Sequence, residues 1–202
     1  MGILNLFFGV ECMRIITGKA KGCRLKTPKG QETRPTADRI KESLFNILGD
    51  KVYGRNVLDL FAGTGSLGLE ALSRGAAHAV LVDQATSAIL RENALHTRLV
   101  ECSEIWKGDV FSAMARMAGE QRVFDLVFCD PPYRRGLWEK VLCFLDASDL
   151  FAENGILVVE HGADEVDMPV LDSLVCVRGE RYGHTTRLSF FQRRSYVGGD
   201  ED

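Results

Sequence analysis

The chain has 202 residues, of which 46% are hydrophobic, and carries a formal net charge of −3 at pH 7. That length buries one substantial core with room for a small extension, and an evenly spread negative charge would exclude nucleic acid as a partner, because phosphate binding needs local positive charge. Six cysteines at positions 12, 23, 102, 129, 143 and 176 form no C-x-x-C pair and have no His-rich tract beside them, which excludes a zinc site by spacing and suits a reducing cytoplasm.

Residues 2–10 are apolar, but they lack a basic n-region and a small-residue cleavage pattern, and they are too short to cross a bilayer. Leu6 stands where a Gly2 myristoylation motif needs Ser or Thr, and Met13 is a candidate start. The charge is not evenly spread: residues 14–45 hold nine basic side chains against three acidic ones, net +6. Within them two short, partly alternating runs, 14–18 and 22–27, joined by Lys19-Ala20-Lys21, read as a basic β-hairpin. Pro35 and Thr36 then open a helix with an apolar face of Ile40, Leu44, Phe45, Ile47 and Leu48, ending before Gly49, with Arg39 and Lys41 on its polar side. The chain divides accordingly into a basic hairpin and helix over 1–49, a candidate nucleic-acid-binding appendage; a main domain over 50–197; and an acidic tail over 198–202 with nothing apolar to pack.

From Asn56 onward, apolar runs at 57–61, 79–82, near Ile105, 124–129 and 155–160 alternate with helical stretches, as in a parallel sheet covered on both faces. Runs 174–181 and 186–192 are separated only by Tyr182-Gly183-His184-Thr185 and must therefore pair antiparallel. A mostly parallel, seven-stranded sheet that ends in this way resembles the Rossmann-like S-adenosylmethionine-dependent methyltransferase fold, here with a small N-terminal β-hairpin extension.

Glycines 63, 65 and 68 follow the first of these strands in a G-x-G-x-x-G spacing that lets backbone N–H groups and a helix N-terminus approach a ligand. Asp59, Phe61, Ala62, Gly63 and Gly65 are candidate cofactor contacts on this turn, and Asp83, which ends the next strand, is placed to accept two ribose hydroxyls. These features suit S-adenosylmethionine and a nicotinamide dinucleotide equally well. Asp109 and Val110, past the third strand, offer a carboxylate for an adenine amine and an apolar cover for its ring. Asn93 and His96 read as structural or surface residues; His78, His161 and His184 have no metal spacing, and no metal is expected.

The run 124–129 stops at Asp130-Pro131-Pro132-Tyr133, a candidate catalytic segment at the carboxyl end of a central strand. Two prolines fix the backbone and remove N–H donors, so that a carboxylate and carbonyls are left as acceptors. An exocyclic base amine is a poor nucleophile, and acceptors for its two N–H groups favour attack on a methyl sulfonium, while Tyr133 offers a face for an extruded base.

This tetrapeptide is the signature of amino-directed nucleic-acid methyltransferases. Further matches are Arg14-Ile15-Ile16-x-Gly18, Gly22-x-Arg24-Leu25, Arg34-Pro35-Thr36-x-Asp38-Arg39-x-Lys41-Glu42-x-Leu44-Phe45-Asn46, Gly68-Leu69-Glu70-Ala71-Leu72-Ser73-Arg74-Gly75 and Tyr182-Gly183. With them the chain resembles the RsmD-type 16S ribosomal RNA guanine-N2 methyltransferases from residue 13 almost to its end. The resemblance implies S-adenosylmethionine as cofactor and methylation of one guanine near the ribosomal P site, on the assembling or assembled small subunit, by a cytoplasmic monomer that needs no membrane. Ala85 departs from relatives that carry a second acid after the ribose-binding one. Arg24, Lys26, Arg34, Arg39, Arg134 and Arg135 are the candidate RNA contacts. An adenine-N6 or cytosine-N4 DNA methyltransferase shares the tetrapeptide but usually needs a separate recognition domain. A nicotinamide-dependent oxidoreductase would explain Asp83 and the glycines but neither residues 130–133 nor the terminal hairpin.

Overall fold

Seven strands form one sheet: β1 (Asn56–Leu60), β2 (His78–Asp83), β3 (Ser103–Lys107), β4 (Phe124–Cys129), β5 (Phe151–Gly162), β6 (Leu174–Tyr182) and β7 (Thr186–Arg193), in the order β3-β2-β1-β4-β5-β7-β6. The first five are parallel; β7 runs antiparallel to both β5 and β6. The computed structural model describes residues 13–28 and 35–194. The apolar stretch 2–10, Arg34 and the acidic tail lie outside these residues. Because β1 sits between β2 and β4, the chain leaves it in opposite directions, and a crevice opens at the carboxyl ends of β1 and β4.

Alternation along the strands sorts their side chains to two buried faces. Leu81, Leu126, Phe128, Ile156 and Val158 pack beneath α1 (Pro35–Leu48), α2 (Ser66–Ser73) and α3 (Ser87–His96). Leu58, Leu60, Val127, Cys129 and Val159 pack against α4 (Val110–Gly119) and α5 (Leu137–Asp146). β5 begins earlier than the apolar run predicts, because Ala152, Glu153 and Asn154 interrupt its hydrophobic pattern while a register shift opposite Phe124 keeps the pairing.

The N-terminal segment follows a hairpin path, but it is too short to become two strands and holds a single antiparallel bridge between Arg14 and Arg24. It is no outlying arm: Ile15, Ala20 and Leu25 are buried in the same cluster as α1 and the sheet. Gly18, at φ +85°, crosses the end of α2 so closely that a Cβ there would lie 1.8 Å from the Ser73 carbonyl oxygen. The neighbouring N–H groups of Lys19 and Ala20 donate to the Ser73 carbonyl and hydroxyl, each at 2.9 Å.

Lys41 departs from the polar side expected for it and is only 4% exposed. It shares the stripe of Leu44, Phe45 and Leu48, which faces the N-terminal segment and α2. Its ammonium donates to the Arg14 carbonyl (2.6 Å) and the Ser66 hydroxyl (2.9 Å), and lies 4.0 Å from both Asp38 and Glu70. Burial pushes its pKa down, and the carboxylates of Glu70 and Asp38 pull it back up. Glu70, with no exposed surface, accepts from the N–H groups of Ile16 (2.6 Å) and Thr17 (3.0 Å) and from Arg74 Nε (2.8 Å).

Glu70→Ala strands these donors and is expected to lower the unfolding free energy by about 3–5 kcal/mol in a denaturant titration. Glu92→Ala, which breaks an exposed 2.6 Å pair with Lys26, is expected to lower it by about 1 kcal/mol or less. Equal losses would show that the buried carboxylate is not what fastens the N-terminal segment.

Candidate active site

The turn after β1 is held by acids beneath and beside it. Asp83 Oδ2 accepts the Gly63 N–H at 3.0 Å, and its Oδ1 accepts those of Ala85 and Thr86, each at 2.7 Å. Thr86 returns a bond to the Gly63 carbonyl at 2.6 Å, so the ends of β1 and β2 are fixed to each other. Asp59 accepts the Gly68 N–H at 2.8 Å, and a Cβ on Gly68 would sit 3.0 Å from the same carboxylate and 2.9 Å from Leu81. Glycine at 68 is thus needed for α2 to approach the sheet. Ala62, Gly63 and Gly65 form the turn, and Phe61 enters it at φ +60°, a strained conformation for a bulky residue.

A cleft of about 710 Å³ lies at the carboxyl ends of the strands. It brings together Phe61, Asp83, Asp109, Val110, Arg135 and the whole of Asp130-Pro131-Pro132-Tyr133. Gln84, Ala85 and Gly108, which carry no motif signal beyond their neighbours, also line it. Asp59 does not: it is 2% exposed and lies under the glycine turn, on the α2 side of β1. Asp109 caps α4 through one oxygen, which accepts the Ser112 N–H at 2.9 Å. A larger cavity of about 1030 Å³ lies before β1 and β2, beside Tyr53 and Arg74, and holds none of the expected site residues.

Asp130 follows Cys129, which pairs with Leu60 of β1 and Val159 of β5, so the carboxylate stands between the glycine turn and Glu160. It lines both the large cleft and a second cavity of about 110 Å³ beneath α1, where Lys41, Ser66, Leu67 and Glu160 are its neighbours. Among the described residues no hydrogen bond reaches its carboxylate. Dense surrounding protein, then the negative charges of Glu160 and Asp59, push its pKa up, although its face is open to water in the cleft and this moderates the shift.

Glu160 is the acid that sequence reading missed. Its Oε1 accepts the Tyr133 hydroxyl at 2.6 Å, burial raises its pKa, and the tyrosine bond partly offsets that rise. Tyr133 lies 3.3 Å from the Thr186 hydroxyl as well, and its own pKa is raised by burial and by Glu160. The ring beside the cleft is therefore fixed at its far end.

The candidate RNA contacts differ in their surroundings. Arg24, Arg39 and Arg135 are exposed. Lys26 is tied to Glu92, and Arg134 pairs with Asp164 at 3.0 Å. Asn93 is buried and structural: it bonds both backbone groups of Lys26 and the Thr64 carbonyl, linking the N-terminal segment to the glycine turn. His96 is exposed, and buried His161 stacks on Trp138.

A family profile described as Conserved hypothetical protein 95 matches residues 13–192. The ribosomal RNA small subunit methyltransferase D of Escherichia coli K12 is 34% identical over 197 residues, which span 94% of this chain and 94% of that one. The chain belongs to the methyltransferase D family. Bacillus subtilis (strain 168) YlbH is 38% identical over 185 residues, 90% of this chain and 100% of its own. The solved structure of the Escherichia coli protein yhhF, 31% identical, superposes with a TM-score of 0.79 over 91% of this chain and 99% of that one. The sheet order and the antiparallel end are thus those of a methyltransferase, as the strand runs predicted.

In this methyltransferase D family member the buried Asp59 makes stability depend on pH. Burial raises its pKa from 3.8 to about 7; the Gly68 N–H opposes the rise and Asp83 adds to it. The folded protein therefore keeps a proton that the unfolded chain has lost, and stability falls as pH rises from about 4 to about 7. Asp59→Asn removes this contribution while keeping an acceptor for Gly68. The unfolding free energy of the wild type relative to this variant is expected to drop by about 3 kcal/mol between pH 5 and pH 8. A constant difference across that range would mean that the carboxyl is ionised throughout.

Proposed function

We propose that the protein transfers the methyl group of S-adenosylmethionine to the exocyclic N2 amine of one guanine in small-subunit ribosomal RNA. Asp130 carries this reading: a carboxylate at the junction of two cavities, met by no donor among the described residues, and followed by two prolines and an anchored tyrosine. The cleft fits the cofactor. Asp83 Oδ2 keeps one lone pair for a ribose hydroxyl, and the second oxygen of Asp109 can accept an adenine amine. Asp83 would serve the ribose of either cofactor, but the acidic Asp130 beside the turn suits a sulfonium cation and disfavours an oxidoreductase.

S-adenosylmethionine supplies a methyl group on a positively charged sulfur. Asp130 and a carbonyl of the Pro131-Pro132 segment accept the two N–H bonds of the target amine, turning its lone pair away from the ring. As the carbon–nitrogen bond forms, the methyl's bond to the sulfonium would break, its electron pair going to the sulfur of a neutral thioether; the nitrogen becomes cationic and its proton passes to Asp130 or to water, a role that the raised pKa of that carboxyl suits. Tyr133 supports the base face, its ring held by Glu160. The work is that of a cytoplasmic monomer on the small subunit or its precursor; among the described residues no helix is long and apolar enough to cross a membrane.

Methyl mapping of 16S RNA from a strain lacking the protein is expected to show the loss of one N2-methylguanine, and loss of an adenine or cytosine methyl instead would overturn the reading. Asp130→Ala should lower turnover by about 100-fold or more with cofactor affinity kept, because its contacts strengthen in the transition state. Asp83→Ala should weaken cofactor binding by about 1–3 kcal/mol in calorimetry. The opposite pattern would exchange the two roles.

The exposed cations of the N-terminal segment and α1 form the RNA platform, with Arg135 at the cleft. Arg24→Ala and Arg39→Ala should each reduce the log–log salt slope of RNA binding by about 0.7–0.9. Lys26→Ala and Arg134→Ala should change it less, since Glu92 and Asp164 already neutralise them. Slopes unchanged by the first pair would place the RNA elsewhere.

A further inference from the structure

We infer that Glu160 reads the Watson–Crick edge of the target base, accepting the N1–H of a guanine while Asp130 holds the neighbouring N2 amine. The inference deepens the functional reading above and rests on it. The pairing of Cys129 with Val159 sets Asp130 and Glu160 side by side at the ends of β4 and β5. Leu126, Phe128, Ile156 and Val158 point to the α1 face, so strand alternation sends both acids to that face as well, and both line the cavity of about 110 Å³ beneath α1. Ile40 and Leu44 give it apolar surface, and Asp38, Lys41 and Ser66 line it as well.

Two neighbouring carboxylates repel each other, and a tyrosine hydroxyl alone could be held by an uncharged acceptor. Among the described residues Glu160 accepts only that hydroxyl, through Oε1, and Asp130 accepts nothing. Lys41 and Ser66 line the same cavity, but the lysine ammonium donates to the Arg14 carbonyl and the Ser66 hydroxyl, so among the described residues neither the free Glu160 oxygen nor Asp130 has a hydrogen-bond donor. Guanine presents two adjacent donors, N1–H and the N2 amine. In adenine and cytosine the exocyclic amine stands beside a ring-nitrogen acceptor, whose lone pair would face the second carboxylate. The tetrapeptide of residues 130–133 serves any exocyclic amine; the second acid selects guanine.

The test compares small subunits reconstituted with 16S RNA whose mapped target guanine is either kept or replaced by 2-aminopurine, which retains the N2 amine but has no N1–H. The wild-type protein should favour guanine by roughly 100-fold in kcat/KM, since a site built around a donor rejects the analogue that lacks it. Glu160→Gln keeps an acceptor for Tyr133 and gains an amide that can donate to the bare N1. The preference should then fall at least tenfold. Each preference is a ratio within one protein, so partial misfolding of the variant cancels. An unchanged preference in Glu160→Gln would overturn the assignment, as would a tenfold loss of S-adenosylmethionine affinity in calorimetry, which would place Glu160 in the cofactor site. A wild-type protein that methylates no guanine in 16S RNA would overturn the functional reading itself, before any variant is compared.

Discussion

Glu70 is a carboxylate with no surface of its own, and the wall of the active site is assembled around it. A buried charge is tolerated only where donors surround it, and here the donors come from separate parts of the chain: two N–H groups of the N-terminal segment, Arg74 at the end of α2, and at 4.0 Å the ammonium of Lys41 on α1. Lys41 extends the connection to the Arg14 carbonyl and to Ser66, the first residue of α2. The same lysine lines the small cavity beside Asp130. One ionic cluster thus fastens the basic segment, sets the position of α1 over the sheet and shapes the pocket in which the chemistry is proposed.

The acids of the site fall into two kinds, distinguished by whether backbone N–H groups of a neighbouring loop donate to them. Asp83 accepts three backbone N–H groups, Asp109 caps a helix and Asp59 holds Gly68; all three build the loops they belong to. Asp130 and Glu160 receive no backbone N–H among the described residues, and burial raises the pKa of both. Fixing a loop orients an acid and leaves Asp83 and Asp109 a free site each, whereas Asp130 has no donor among the described residues. Backbone donors separate the two kinds of acid more sharply than nearness to the cleft, since Asp83 and Asp130 line the same one.

Signals that are local in sequence were legible, and those created by pairing were not. The run 124–129 and the prolines after it mark the end of β4 to the residue, because a buried parallel strand has an apolar pattern and Pro-Pro must stop it. Asp59 was read as a ligand from its place before the glycines, yet it shares the α2 side of β1 and turns from the cleft. Lys41 was assigned to solvent by residue type, although its spacing from Leu44, Phe45 and Leu48 places it in the buried stripe. Glu160 ends the apolar run 155–160, two residues inside the end of β5, and carries no motif; only the register of β5 on β4 gives it meaning.

Register also accounts for how an acidic pocket can serve a polyanion. A phosphate brought next to Asp130 and Glu160 would meet two like charges held close together, and repulsion is stronger there than in bulk water. The exposed cations, Arg24, Arg39 and Arg135, are carried on the N-terminal segment, on α1 and at the cleft wall. In the proposed reaction the sugar–phosphate chain is therefore retained on the rim while a neutral base, with donors on its edge, enters alone. Charge of one sign outside and the other inside separates base from backbone, and extrusion of the guanine is a consequence of that separation as much as of the shape of the pocket.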